Sequence, residues 1–268
     1  MEFKIIKITS LDAPEVSLYE KLNEKQVKRI FEPHDGAFIC ESIRVIERAL
    51  TAGYEPISFF AEAGNEDAIS LLIREKDIPV YIAGYDVMRE ITGYSLTGGV
   101  LAAMRRRPLP DTQSFLSAHH NIVVLDDVEN PTNVGAIFRS AAALGADGIV
   151  LTQGAADPLY RRAARVSMGT VFKIDWTYAE GDLMSLLKKE GYTTIAFALS
   201  EDAVSLDECI FKNGRKAVVM GNEDHGVSDE IIKRCDHTVK IPMDREVDSL
   251  NVAAASAVAF WEIFRKTI

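Results

Sequence analysis

The 268-residue chain has no apolar run long enough to cross a bilayer: its longest largely apolar stretch, Val252 to Trp261, is broken by Ser256 and ends at Glu262, short of the roughly 20 residues a span needs. No membrane helix is expected. The N-terminus, MEFKIIKITS, lacks an apolar run ending in a small-residue cleavage site, so export has no support. Cysteine is scarce. Cys40, Cys209 and Cys235 lie far apart, are odd in number and form no CxxC pair, which argues against a disulfide framework or a cysteine zinc site and makes a reducing cytoplasm the natural setting. Basic charge is also short, 30 Lys and Arg against 40 Asp and Glu for a net charge of −10, split as about −3 over residues 1–110 and about −7 over 111–268. Attraction of nucleic acid by bulk charge is disfavoured. A local basic patch can still hold a phosphate backbone, because the field falls off within roughly 8 to 10 Å at physiological salt.

What is present is an ordinary globular composition, 47% hydrophobic and 26% charged, with enough apolar content to offset the entropy of ordering one large domain or two small ones. The second half alternates between two periods. Short β-branched runs predict strands at 122–125, 148–151, 193–198, 217–220 and 238–241, with helices near 133–144, 158–165, 182–190, 228–235 and 250–266. Asp157 before Pro158 reads as N-cap then N1, and Gly145 and Gly191 sit where helices end on a left-handed residue. This alternation implies an α/β domain with a mostly parallel sheet covered on both faces. The first half is also mixed, with strands at 37–40, 58–61 and 80–82 and helices at 42–51 and 66–75. Ser95 to Ala102 then leads to Arg105-Arg106-Arg107-Pro108-Leu109-Pro110; two prolines within three residues after a charge cluster read as a linker and put a domain boundary near residue 112.

Three stretches place glycine and polar residues at strand ends, where a parallel α/β sheet binds its ligands. The first runs from Asp126 to Arg139, turns at Asn130-Pro131 and enters a helix, with Asn133 as N-cap, Gly135 allowing close approach and Arg139 four residues on along the same face. It reads either as a site in which Arg139 faces a ligand or as a cap followed by a solvated arginine. The second, Gly221-Asn-Glu-Asp-His-Gly226, either turns backbone groups and the Glu223 carboxylate toward a ligand or is only a strand-to-helix turn. It is neither a Walker loop nor a GxGxxG fingerprint. The third, Ile241-Pro-Met243 through Ser249-Leu250-Asn251, enters a helix whose packed face is Leu250, Ala253, Ala254, Ala257, Trp261 and Phe264, with Ser249 able to cap its start. A capped core helix explains everything except the unusual loop before it. His225 stays outside the site, His119 and His120 read as linker residues, and no Cys, His and carboxylate set has metal-ligand spacing.

Together these stretches resemble the SpoU (TrmH-like) family of the SPOUT RNA methyltransferases, which methylate ribose 2′-hydroxyls. The family's first motif, Asn-x-Gly with an arginine four residues after the glycine, is matched by Asn133, Gly135 and Arg139. Its second, Gly-x-Glu-x-x-Gly, is matched by Gly221, Glu223 and Gly226, and its third, an Ile-Pro-Met run leading to Ser-Leu-Asn, by Ile241 to Met243 and Ser249 to Asn251. Ser167-Met-Gly169 looks like a smaller family signature, and the likeness covers roughly residues 121–266. It implies a C-terminal α/β domain threaded as a deep trefoil knot, a topology too rare to infer from pattern. S-adenosylmethionine would sit bent in that knot on three loops, here implicating Ala198 and Leu199; Gly221, Asn222 and Gly226; and Ile241, Met243 and Leu250. The resemblance assigns Arg139 to the 2′-hydroxyl, with Asn133, Glu223, Ser249 and Asn251 around it, and requires no metal. A guanidinium stays protonated and has no acceptor lone pair, so Arg139 is expected to stabilise the developing alkoxide and anchor the adjacent phosphate while the proton leaves through water or a phosphate oxygen.

Phe38 to Leu50 and Thr97 to Ala102 look like the two ends of the ribosomal-protein L30e-like RNA-binding module, giving domains of 1–112 and 113–268 with residues 1–30 unassigned. Ser42 stands where the family commonly has glycine, and Arg105 to Arg107 read either as a phosphate contact or as a surface charge cluster. The N-terminal module points to ribosomal RNA rather than transfer RNA, and the family implies a homodimer through the C-terminal domain. The competing reading is a protein of the same fold that binds RNA or the donor without turnover. Such a protein is expected to have lost Arg139, Ser249 or Asn251, and all three are kept. A Rossmann-type methyltransferase would need a glycine-rich loop after its first strand, which is missing.

Overall fold

The computed structural model describes residues 4–10, 12–19, 36–73, 77–92, 96, 98–200, 202–209, 211, 213–245 and 247–264. Half of the unassigned stretch 1–30, the ends of the helices expected at 66–75 and 250–266, and Ser95, Thr97 and Glu246 lie outside the described residues. In chain order the first part forms β1 (Ile5–Ile8), β2 (Ala37–Glu41), α1 (Ile43–Thr51), β3 (Pro56–Glu62), α2 (Glu66–Ser70), β4 (Val80–Ala83), α3 (Tyr85–Thr92) and β5 (Val100–Arg105). The rest forms α4 (Thr112–Ala118), β6 (Asn121–Leu125), α5 (Pro131–Leu144), β7 (Gly148–Leu151), α6 (Arg161–Val166), β8 (Asp175–Tyr178), α7 (Leu183–Lys189), β9 (Thr193–Phe197), β10 (Val204–Ser205), β11 (Lys216–Met220), α8 (Asp229–Ile232), β12 (His237–Lys240) and α9 (Val252–Ile263). The chain divides into two compact units, residues 1–108 with 159–172, and residues 109–158 with 173–268.

The first unit is built on a mixed sheet of order β1-β4-β3-β5-β2, parallel at β1/β4 and β3/β4 and antiparallel where β5 meets β3 and β2. Phe59, Phe60, Leu101 and Met104 are fully buried in it. The arginines 105–107 are committed locally. Arg106 donates to the Ala37 carbonyl at 3.2 Å, and Arg107 donates to the Ala52 carbonyl with its guanidinium 4.4 Å from the centre of the Tyr54 ring. Arg105 lies 4.0 Å from the Glu55 carboxylate.

The second unit is an all-parallel sheet of order β10-β12-β9-β11-β6-β7-β8. Its centre, Ile122-Val-Val-Leu125 beside Ala217-Val-Val-Met220, consists of continuous apolar runs because these strands are covered on both faces. All five strands expected here form. The sheet also gains β8 and β10 at its two edges, where Asp-Trp-Thr-Tyr and a two-residue Val-Ser carry no apolar run to announce them.

Helix boundaries correct several expectations. Asp157 does not cap a helix: α6 begins after Tyr160, and the buried Asp157 carboxylate accepts instead from the Tyr178 hydroxyl at 3.2 Å. Asn133 is not the N-cap of α5. Asn130 is, its side chain accepting from the Thr132 N–H, because Pro131 is preset for the first helical position and pulls the start forward. Likewise Asn251 and not Ser249 caps α9, accepting from the Ala253 N–H at 2.9 Å. The buried face of α9, packed on α5, is Ser256, Ala259, Phe260 and Ile263, joined by Phe264 of the expected face, but not the row through Leu250, Ala254, Ala257 and Trp261. That row faces outward, with Trp261 53% exposed, since an alanine-rich helix offers two nearly equivalent apolar faces.

Ser42, joining β2 to α1, has φ 79° and ψ 144°, a region that glycine enters freely and an L residue does not. Such strain costs of order 1–3 kcal/mol, against roughly 0.4–1 kcal/mol for the extra freedom glycine brings to the unfolded chain. Ser42→Gly is therefore expected to raise stability by about 1 kcal/mol, read as a higher urea midpoint at unchanged slope. A lower midpoint would show that the serine is at ease in its backbone.

Candidate functional site

In an all-parallel sheet every strand delivers its following loop to the same edge. The order β12-β9-β11-β6 therefore sets the loops that start at Ile241, Ala198, Gly221 and Asp126 side by side, about 4.8 Å apart per strand. The Ala198 N–H donates to the Val239 carbonyl at 3.1 Å and the Asp126 N–H to the Met220 carbonyl at 2.9 Å, so the ladder carries into the loops themselves.

The loop after β11 is a tight turn. Asn222 and Gly226 exchange two backbone hydrogen bonds of 2.9 Å, and Gly226 has φ 70°. A Cβ on Gly221 would lie 2.1 Å from the carbonyl carbon of Gly226 and from the nitrogen of Val227, so the position admits only glycine. The Asn222 side chain closes the turn from both sides. Its Nδ2 donates to the Asp127 carbonyl at 2.8 Å, and its Oδ1 accepts from the N–H groups of Asp224 at 2.9 Å and His225 at 3.3 Å.

Glu223, at the tip of this turn, reaches back to the first stretch. Its Oε1 accepts from Asn133 Nδ2 at 2.7 Å and from the Asn130 N–H at 3.1 Å, and its Oε2 accepts from the Glu129 N–H at 3.2 Å. Asn133, buried in the first turn of α5, uses its Oδ1 to accept from Asn251 Nδ2 at 3.2 Å. One chain of hydrogen bonds, Glu223 to Asn133 to Asn251, thus joins all three stretches. Asp126 adds a second tie: its buried carboxylate accepts from the Ser228 N–H at 2.8 Å. Asp127, at φ 52°, takes the Gly154 N–H at 3.1 Å and the Thr152 hydroxyl. The roles of Asp126, Asp127 and Asn130 were not anticipated from sequence, and the one signal was a pair of aspartates directly after a strand.

Of the expected site residues, Asn133, Glu223 and Asn251 come together, with Gly221, Asn222 and Gly226 forming the adjoining turn. Arg139 does not join this network. It is exposed six residues beyond Asn133 on α5, about 9 Å along the helix axis, and makes no hydrogen bond or ion pair with a described residue. Ser249 is exposed and likewise unbonded, Ala198, Ile241 and Met243 are half-buried, and Leu199 and Leu250 leave apolar surface open. Backbone turns beside open apolar side chains can take a flat, largely apolar ligand. Among the described residues no group of three His, Cys, Asp or Glu is placed to hold a metal ion, and no helix is long and apolar enough to cross a membrane.

Comparison with known proteins gives a consistent result. The sequence pattern of the SpoU rRNA Methylase family matches residues 120–261. An uncharacterised tRNA/rRNA methyltransferase of Mycobacterium bovis is 34% identical over 94% of this chain and 88% of its own length. A 23S rRNA (guanosine-2′-O-)-methyltransferase of Acinetobacter baylyi is 29% identical over 79% of this chain and 90% of its own. In fold, the crystal structure of an AdoMet-bound rRNA methyltransferase from Sinorhizobium meliloti superposes with a TM-score of 0.83, covering 98% of this chain and 99% of that one at 24% identity.

The Glu223 to Asn133 bond is testable by a double-mutant cycle in urea. Glu223→Gln turns an amide donor toward backbone N–H groups, and together with Asn133→Ala it is expected to show a coupling of about 1–3 kcal/mol. Simple additivity of the two changes would mean that the carboxylate does not hold the asparagine.

Proposed function

The chain belongs to the SpoU rRNA methylase family of S-adenosylmethionine-dependent RNA 2′-O-methyltransferases, and from that premise we propose that it methylates ribosomal RNA. The observation that carries the reading is the Glu223–Asn133–Asn251 chain, which ties the family's three motifs into one constellation at the carboxyl edge of the sheet. Ribosomal RNA is favoured over transfer RNA by the likeness to the 23S rRNA enzyme, which extends into the N-terminal half. We read the N-terminal unit as an L30e-like module that docks the RNA, and the C-terminal unit as threaded through the family's trefoil knot. A transfer RNA substrate, or a protein of this fold that binds without turnover, are the outcomes to be separated by experiment. Three unpaired cysteines accord with the cytoplasm.

The residues present suit the methyl donor. Gly221 keeps the backbone free of side-chain bulk, and Leu199 and Leu250 offer apolar surface beside it. Ala198, Leu199, Gly221, Gly226, Ile241, Met243 and Leu250 would hold the donor, while Asn222 acts by shaping the turn, its side chain being fully engaged there. When bound, the donor supplies a methyl group on sulfonium sulfur, open to in-line attack. The chain's own part is to align the ribose oxygen, stabilise the alkoxide that develops and give the proton a way out. Arg139, with no hydrogen bond or ion pair to a described residue, presents a planar fork of donors for the oxygen and the adjacent phosphate. Asn133 and Glu223 fix the start of the helix that carries it, and Ser249 and Asn251 complete the rim. The outward row of α9, with Ala254, Val258 and Trp261 exposed, is the surface we assign to a second copy of the chain.

Incubation with labelled S-adenosylmethionine and total RNA from cells lacking the gene, followed by mapping, is expected to place one 2′-O-methyl group in ribosomal RNA. A label found only in transfer RNA would move the substrate, and donor binding with no transfer to any RNA would favour the non-catalytic reading. Arg139→Lys keeps the charge but loses the fork, so turnover should fall at least about tenfold with donor binding intact; near-normal turnover with unchanged RNA affinity would contradict the role given to Arg139. Trp261→Glu is expected to convert a sedimenting dimer to monomer, and a wild type already monomeric at micromolar concentration would remove the dimer.

A further inference from the structure

Docking an RNA on a chain of net charge −10 requires a surface where positive charge is concentrated. From Pro158 to Ile174 the sequence carries Arg161, Arg162, Arg165 and Lys173 and no acidic residue. Helix α6, which belongs to the N-terminal unit and packs on β2, sorts three of these charges. Ala163 and Ala164 are buried, whereas Arg161, Arg162 and Arg165 fall within about 100° of one another around the helix, on its other side. Arg162 and Arg165 are exposed.

These arginines have unequal duties. Arg165 Nη1 lies 3.0 Å from Oε1 of Glu41, a carboxylate 3% exposed at the end of β2, so one charge is used in anchoring the helix. Arg48 of α1 donates to the Met168 carbonyl and pins the turn that follows α6. Arg162 has no such task, making no hydrogen bond or ion pair with a described residue. Arg44, exposed in the first turn of α1 and three residues beyond Glu41, is equally unengaged; chain length keeps its Cα within about 11 Å of that of Glu41. Glu47 is the exposed acidic neighbour on α1. An exposed guanidinium held on a packed helix, with its neighbours fixing the helix in place, is suited to forked hydrogen bonding of phosphate oxygens.

We infer that the outer face of α6, centred on Arg162 and flanked by Arg44, is a ridge that docks the phosphate backbone of the substrate RNA and reads no base. This rests on the RNA methyltransferase reading above, and binding is measured separately from turnover so that the two can fail independently. The full-length wild type, Arg162→Glu, Arg162→Lys and Arg44→Glu/Arg162→Glu are compared in filter binding to total RNA from cells lacking the gene, at several salt concentrations, and in methyl transfer to the same RNA. Arg162→Glu should weaken RNA binding about five- to tenfold and the double variant further, with the slope of log K against log salt shrinking by roughly 0.7 to 0.9 per lost contact. KM for RNA should rise while kcat and S-adenosylmethionine affinity hold, and Arg162→Lys should retain most of the affinity. Unchanged affinity and salt slope in both glutamate variants would overturn the ridge. A wild type that binds RNA without transferring methyl would overturn the methyltransferase reading, and weakened binding by Arg162→Glu would then still support the ridge.

Discussion

One carboxylate holds the site in register. Glu223 gathers the N–H groups of Glu129 and Asn130 and the side-chain amide of Asn133, adding three bonds to the two, Asn222 to Asp127 and Ser228 to Asp126, that also tie the loops after β6 and β11. Three donors converging on one carboxylate make a directional joint. Asn133 passes the constraint to Asn251, which also caps α9, so the start of the terminal helix is tied to the glutamate. Gly221 is the steric condition for the joint, since any side chain there would push the turn off the backbone of Gly226 and Val227.

Catalysis by such an arrangement is chiefly alignment. The sheet supplies rigid strands, their parallel order brings four loops to one edge, and the polar chain fixes three of those stretches to one another. What is left unengaged there is informative in the same way. Among the described residues Arg139 and Ser249 have no hydrogen-bond or ion-pair partner, and Leu199 and Leu250 are open to solvent, whereas the neighbouring polar groups of Asn222, Glu223 and Asn133 are used in shaping the protein. The division separates groups that build the site from groups left to meet a ligand.

Much of this was legible in the sequence, for identifiable reasons. The central strands β6, β7, β9 and β11 announce themselves because burial on both faces leaves short, largely apolar runs, while β12 is legible from its β-branched pair Thr238-Val239, of which only Val239 is buried. Edge strands β8 and β10 carry no such run, and β1, α3 and β5 in the N-terminal unit were also missed. The three motifs located the site, but not its wiring. Asn133 and Ser249 looked like caps by residue type, yet Pro131 moved one helix start to Asn130, and Asn251 took the other, freeing Asn133 for Glu223. In α9 the alanines made the periodicity ambiguous, and Phe260 with Ile263 decided which face went inward. Ser42 was visible as a departure from glycine; its left-handed backbone shows what the glycine would have been for.

We propose that the loops beginning at residues 126, 198, 221 and 241 enclose one methyl-donor site faced by Arg139. A crystal structure of the protein with S-adenosylhomocysteine tests it most directly. Density for the product is expected along the carboxyl edge of β12, β9 and β11, against residues 198–199, 221–226 and 241–250, with its sulfur turned toward the Arg139 side. Density elsewhere on the molecule, or a product that leaves any of those three segments untouched, would contradict it.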